Sequence, residues 1–324
     1  MEFATNLGLV ALGGLILYLG AEWLVKGAAG LARTFGIKEI VIGLTVIAYG
    51  TSAPELAVSV SANLDGSSPL VFGNVIGSCI ANLGLILGIT ALIAPPKVDA
   101  SLIRRDIPVL VVSAIVLPVM LLSSGVTRIE AAVLLVLAVA YSIMTLATSK
   151  SELAQSAADL EAIAEAGGAP SGEGAWRLVG ITVVGLALLV GGGELFVDGA
   201  KGIALDLGMS DRLVGLTIVA FGTSLPELAA SLVAALRGHS GLAIGNVVGS
   251  NIFNIFLVVG ASGSIRALPG DLSELVLDLG FLAGLTIFAA IAMRTERTVT
   301  RAEGFILVAS YLAFIVLAIV GVGI

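Results

Sequence analysis

Ten runs of about twenty apolar residues follow one another along this chain, near 7–28, 40–63, 69–93, 107–122, 129–148, 177–199, 212–236, 241–265, 275–293 and 303–322. A helix needs about 20 such residues to cross a bilayer. Inside hydrocarbon, backbone polar groups must be paired within the protein, which leaves helices or closed barrels. The runs are continuously apolar rather than alternating, and this excludes a barrel. The chain is 58% hydrophobic and only 12% charged, far below the charge of a soluble domain of 324 residues. Aromatic residues make up 5% and glycine numbers 41, a mixture that favours helices touching through small residues. The expected fold class is an all-α membrane protein with ten transmembrane helices.

The stretch from Gly43 to Asn82 recurs from Gly215 to Asn254, without a gap, 172 residues later. The first copy reads GLTVIAYGTSAPELAVS and then GNVIGSCIAN; the second reads GLTIVAFGTSLPELAAS and then GNVVGSNIFN. The chain therefore divides into a first five-helix repeat at 1–148, a linker at 149–176 and a second five-helix repeat at 177–324. In the linker, SELAQSAADLEAIAEA reads as a short surface helix and GGAPSGEG as a flexible tether. Its acidic residues lack EF-hand spacing, so a solvated connector is expected.

Loop charges set the orientation. Twelve of the sixteen Lys and Arg residues fall on the side that holds the linker; Arg128, Lys201, Arg212 and Arg266 fall on the other. The richer side is expected to be cytoplasmic, with both termini outside and the plasma membrane as location. Five helices per half is an odd number, so the second copy enters the membrane upside down, as an inverted repeat. No basic residue precedes the first apolar run, which argues against a secretory signal. The lone Cys79 excludes an internal disulfide and reads as a small filler. No basic patch exists for nucleic acid. Lipid is the expected surrounding and a monomer the expected state.

Each copy carries one carboxylate, Glu55 and Glu227, in the middle of a membrane run, where a charge is costly and marks a functional site. Pro54 and Pro226 stand one residue before them. Proline removes a backbone donor and disrupts the carbonyl four residues earlier, here Gly50 and Gly222. A helix broken there offers carbonyl oxygens and a helix end to a cation. Thr51, Glu55 and Ser59 lie at i, i+4 and i+8 and share a face; Thr223, Glu227 and Ser231 repeat the pattern. Hydroxyl, carboxylate and carbonyl oxygens suit hard cations such as Ca²⁺ and Na⁺. A second wall comes from Asn74, Ser78 and Asn82 and from Asn246, Ser250 and Asn254, at the same spacing. Gly73, Gly77, Gly245 and Gly249 flank those stripes and let each helix approach a neighbour.

These paired motifs resemble the sodium/calcium exchanger branch of the calcium/cation antiporter superfamily, prokaryotic type, over nearly the whole chain. The resemblance implies a central site between the second, third, seventh and eighth helices. It implies Thr51, Ser52, Glu55, Ser78 and Asn82 from the first half as cation ligands, and Thr223, Ser224, Glu227, Ser250 and Asn254 from the second. Backbone oxygens of Ala48 and Ala220 are implied to assist. Several relatives carry an aspartate where this chain has Asn254, so the site here has two carboxylates and no third. Two still balance one Ca²⁺, and a need for a third acidic ligand, such as one serving co-transported K⁺, is reduced.

Glu22 stands one turn from Lys26, a favourable helical pair, and Glu194 is its counterpart in the second half; both read as structural or interfacial. His239, the single histidine, reads as a surface loop residue. The leading expectation is a secondary active antiporter of Ca²⁺ and Na⁺ with no cofactor. The alternative is a Ca²⁺/H⁺ exchanger, against which the hydroxyl groups argue, since proton exchange does not need them. A cation channel is a different class, for which a pair of occluding carboxylates is a poor pore lining. No His-rich metal motif or Ser/His pair suggests an enzyme.

Overall fold

The structure, a computed structural model, describes residues 2–164, 174–209, 214 and 220–321. It is helical almost throughout. In chain order the helices are α1 (Glu2–Thr34), α2 (Glu39–Thr51), α3 (Ala53–Leu64), α4 (Ser68–Ile93), α5 (102–121) and α6 (Arg128–Ala164). There follow α7 (Ala175–Asp206), α8 (Ala220–Gly222), α9 (Leu225–Leu236), α10 (Ser240–Ile265), α11 (Val276–Arg294) and α12 (Arg301–Gly321). By length and composition α1, α4, α6, α7, α10, α12 and α11 with the turn before it can each cross a membrane. The pair α2 and α3 does so together, bent by 42°. The two remaining expected runs appear as α5, whose first turn holds Arg104, Arg105 and Asp106, and as α9, much of whose preceding run lies outside the described residues.

The expected linker begins inside a helix. No Pro or Gly occurs between Arg128 and Ala164, so α6 continues unbroken through 149–164 instead of yielding a separate surface helix. The tether, up to Glu173, lies outside the described residues.

α1 and α7 are joined along their length by glycines. A Cβ on Gly20 would lie 2.9 Å from the carbonyl oxygen of Gly185, and one on Gly13 would lie 2.8 Å from that of Gly192. Nearer the N-terminus, Gly199 meets Asn6; nearer the other end of α1, Gly27 meets Leu178. The partner number falls as the α1 number rises, so the two helices run antiparallel. Gly13 plus 172 is Gly185, and Gly20 plus 172 is Gly192, so each contact is the exchange of the other.

The loops repeat this reciprocity. Beyond α5, β1 (Gly125–Val126) pairs antiparallel with β2 (Leu268–Pro269). At the opposite end of α5, Lys97 bridges Thr298, and Val98 N–H donates to Arg297 O at 2.8 Å. There too Lys38 pairs with Asp99 at 3.5 Å. Partial burial works against the charged Asp99 carboxyl, but Ser101 and Lys38 overcome it and hold its pKa below the ordinary value. Capping boxes start the last helix of each half: Thr127 with Glu130 before α6, and Thr300 with Glu303 before α12. The turns after α3 and α9 close on Gly66 and Gly238 at φ +82° and +83°, a left-handed conformation that glycine adopts without strain.

The core lies in α4 and α10. In α10, 94% of the apolar window is buried, against 17% in α12. Thus α10 is an axial helix and α12 presents its surface to lipid.

Candidate cation site

The chain breaks where proline predicts. α2 ends at Thr51, Ser52 leaves the helix at φ −81°, ψ 5°, and α3 begins with Pro54 in its first turn. Ser224 does the same at φ −91°, ψ 4° before α9, with Pro226. Each restart puts a glutamate in a helix's first turn, where unpaired N–H groups and the dipole favour negative charge by about 0.3–1 kcal/mol. The useful helix end is thus also the positive one: it holds Glu55 and Glu227, which in turn can hold a cation.

Both carboxylates are fully buried. Their partners come from both halves. Glu55 Oε1 accepts from Ser78 Oγ at 3.4 Å in its own half and from Ser224 Oγ at 3.5 Å in the other. Glu227 Oε1 accepts from Ser52 Oγ at 3.5 Å. Thr223 also reaches Glu55, as Thr51 reaches Glu227. The hydroxyl contacts across the halves are therefore reciprocal. Each carboxylate keeps one oxygen, Oε2, buried and without a hydrogen-bond partner.

The stripes of α4 and α10 split by role. Asn74 Nδ2 donates to Glu55 O at 3.0 Å and Ser59 Oγ at 2.8 Å. Asn246 Nδ2 donates to Glu227 O at 3.4 Å and Ser231 Oγ at 2.9 Å, and its Oδ1 accepts from Thr51 at 3.1 Å. These asparagines brace the glutamate-bearing backbone, and Ser59 and Ser231 are occupied in doing so. Asn82 and Asn254, two turns further on, are also buried, but both amide atoms of each lack partners, as does Ser250 Oγ. Both asparagines lie in π-helical turns, Ala81–Ile86 and Asn254–Val259, the wider turn that often marks a functional site. The carbonyl of Ala48 accepts Ser52 N–H at 3.1 Å. Ala220 opens α8 in the equivalent place.

Several polar contacts had no pattern in the sequence to announce them. Asn63 Nδ2 donates to the carbonyls of Ser262 (2.5 Å) and Arg266 (2.8 Å), holding the end of α10 from α3. Asn251, buried beside Cys79, keeps an unpartnered Oδ1. Asp106 is buried between Arg105, at 2.9 Å, and Tyr141, at 3.0 Å; one charge at the edge of an apolar run was the only hint of it. Glu22, expected to pair with Lys26, is instead held by Arg237, whose flexible fork offers two donors at 2.6 and 2.9 Å. His239 is part-buried against Glu39 rather than free in its loop.

The contacts bring together two carboxylates and hydroxyls of Thr51, Ser52, Ser78, Thr223 and Ser224, all oxygen donors in a dry interior. Such a set suits a hard cation.

Comparison with known proteins agrees with this chemistry. The family described as sodium/calcium exchanger protein matches residues 5–147 and again 177–320. The sodium/calcium exchanger MaX1 of Methanosarcina acetivorans is 33% identical over 341 aligned positions, covering 96% of this chain and 97% of its own. An uncharacterized membrane protein of Methanocaldococcus jannaschii, MJ0091, is 40% identical over 266 residues, 82% of this chain and 84% of its own. A solved structure of the sodium-calcium exchanger NCX_Mj, soaked with Na⁺ and Ca²⁺, superposes with a TM-score of 0.81 at 34% identity, covering 96% of this chain and 98% of that one. The chain belongs to the sodium/calcium exchanger family.

Proposed function

We propose that this protein is a secondary active antiporter that exchanges Ca²⁺ for Na⁺ across the membrane by alternating access. The observation that carries this reading is the reciprocal pair Glu55 and Glu227, each buried with an unpartnered oxygen and each bonded by hydroxyls of the opposite half. Two carboxylates neutralise one Ca²⁺, and the hydroxyl and amide oxygens around them complete a hard-cation shell. Thr51, Ser52, Glu55, Ser78 and Asn82, with Thr223, Ser224, Glu227, Ser250 and Asn254, form that shell, assisted by the carbonyls of Ala48 and Ala220. The relatives named sodium/calcium exchangers support the choice of ions.

The scaffold we infer is ten spans in two inverted five-helix repeats. The antiparallel α1 and α7, with their exchanged glycine contacts, support the inversion. The family match twice over, again 172 residues apart at its start, supports the duplication. The basic-residue bias places the linker in the cytoplasm and the termini outside. A bound cation cancels the buried charge and lets the site pass between its two openings; an empty, doubly charged site does not pass cheaply.

The test is ⁴⁵Ca²⁺ uptake into sealed proteoliposomes under an outward Na⁺ gradient and, separately, an outward H⁺ gradient at equal voltage. Uptake driven by Na⁺ is expected. Uptake driven by H⁺ alone would replace the reading with a proton exchanger, and Ca²⁺ conductance without countertransport would replace it with a channel.

A further inference from the structure

Three aromatic rings meet between α2, α6 and α10. Phe253, fully buried on α10, has its ring centroid 3.9 Å from that of Tyr49 on α2 and 5.9 Å from that of Tyr141 on α6. The first pair is tilted by 33° and the second meets edge to face at 65°, arrangements that add to plain apolar contact. Each tyrosine is pinned at its far end. Ser142 Oγ donates to Ala138 O at 2.8 Å, so its one proton is spent and Tyr49 Oη donates to it at 2.7 Å. Tyr141 Oη donates to Asp106 Oδ1 at 3.0 Å, and Arg105 holds both oxygens of that carboxylate, at 2.9 and 3.0 Å.

The rings stand next in the chain to residues of the candidate site. Tyr49 follows Ala48 and lies two residues before Thr51. Phe253 precedes Asn254, which is buried with both amide atoms unpartnered. Asn254 opens the π-helical turn Asn254–Val259, and Ala48 follows the π-helical turn Gly43–Ile47. A π-turn departs from the ordinary helical ladder, so the anchor at its start decides where its side chains point. The repeat supplies no second anchor of this kind. Subtracting 172 from Phe253 gives Ala81, and adding 172 to Tyr141 gives Ala313, neither of which has a ring. Asn82 therefore shares the motif of Asn254 without an aromatic residue before it.

We propose that Phe253, gripped between Tyr49 and Tyr141, is a positioning residue that aims the Asn254 amide at the cation and holds it at a set distance from Ala48 and Thr51, so that this part of the site is stiff and selects Ca²⁺ over larger divalent cations. Phe253 acts through Asn254 and not on the ion itself. The proposal rests on the exchanger reading and adds where its discrimination by size arises. Choice between divalent cations of equal charge follows cavity size and ligand stiffness. Groups that orient a metal's ligands are worth about ten- to a hundredfold in affinity.

Isothermal titration of the purified protein with Ca²⁺ and with Ba²⁺ tests it. Phe253→Leu keeps the position apolar and removes the ring; it should weaken Ca²⁺ binding about tenfold and Ba²⁺ binding by less than about threefold. Tyr49→Leu should do the same, while Tyr49→Phe, which keeps the ring, should stay within about threefold of the parent. The decisive comparison is a double-mutant cycle. In an Asn254→Ala background either leucine variant should cost nothing further, whereas in an Asn82→Ala background it should cost the full factor of about ten. The same loss in both backgrounds, equal losses for Ca²⁺ and Ba²⁺, or no loss in either leucine variant would show that the rings only pack helices, and would overturn the proposal. If the cycle behaves as expected but a Na⁺ gradient drives no Ca²⁺ uptake, the positioning role stands and the exchanger reading falls. Na⁺-driven uptake with an additive cycle has the reverse meaning.

Discussion

A carboxylate with one oxygen bonded to hydroxyls and the other unpartnered, fully buried, is tolerable only if something else neutralises it. Glu55→Gln or Glu227→Gln should therefore weaken Ca²⁺ binding roughly a hundredfold or more, since each removes one of two charges facing a divalent ion in a dry site. Isothermal titration of purified variants checks this; parent-like affinity in either would remove that glutamate from the site. Asn254→Asp should keep transport, because it adds either a third charge or a protonated carboxyl, and the latter would appear as new pH dependence in the flux. Asn254→Leu and Asn82→Leu should both reduce Na⁺-driven Ca²⁺ uptake at least tenfold by deleting an amide that the fold leaves unpaired. Parent flux in both leucine variants would confine the site to the two broken helices. The glutamates and asparagines were legible because each occurs twice in apolar surroundings. The division of labour was not. Only packing shows that Asn74 and Asn246 spend their donors on backbone and serine while Asn82 and Asn254 keep theirs, since spacing treats all four alike. Glu22 teaches the same lesson: its partner stands 215 residues away, and a sequence pattern sees only Lys26 one turn along.

Among the elements, proline located the breaks before α3 and α9 well, because a missing N–H acts locally. Helix length was harder to read. The acidic composition of 149–164 suggested an end to the membrane helix, yet charge alone does not stop an α-helix, and α6 runs on. The glycines, read at first only as a sign of close packing, have unequal duties. A Cβ on Gly20 would sit 2.7 Å from Leu189 N and 2.9 Å from Gly185 O, both backbone atoms that cannot swing aside. One on Gly191, in the same helix as Gly185, meets nothing within 4 Å. Gly20→Ala should accordingly lower the melting temperature of the detergent-solubilised protein by several degrees, about 1–3 kcal/mol of overpacking, and Gly191→Ala should leave it within a degree. Equal melting of the two variants would mean that the α1–α7 contact is looser than the backbone distances imply.

For the whole molecule, the all-helical class and the duplication were readable, because ten apolar runs admit few folds and a gapless repeat cannot arise from packing alone. What no run of letters gave was how closely α2 seats on α10, where a Cβ on Gly245 would lie 2.8 Å from Ile40 O, since that depends on helices meeting across the bundle. Orientation has its own test: Ser156→Cys should resist an impermeant thiol reagent in intact cells and react once the membrane is opened. The native Cys79 is buried, 1% exposed, and stays silent in such an assay. Labelling from outside would invert the topology. Finally, the exchanged hydroxyls, Ser52 to Glu227 and Ser224 to Glu55, give the two carboxylates mirrored partners from the far half. The near partners break the mirror: Ser78 donates to Glu55, while Ser250, its counterpart, donates to nothing among the described residues. A centre that is doubled without being identical need not treat its two approaches alike, yet a passive exchanger built on it still leaves the direction of net flow to concentrations and voltage.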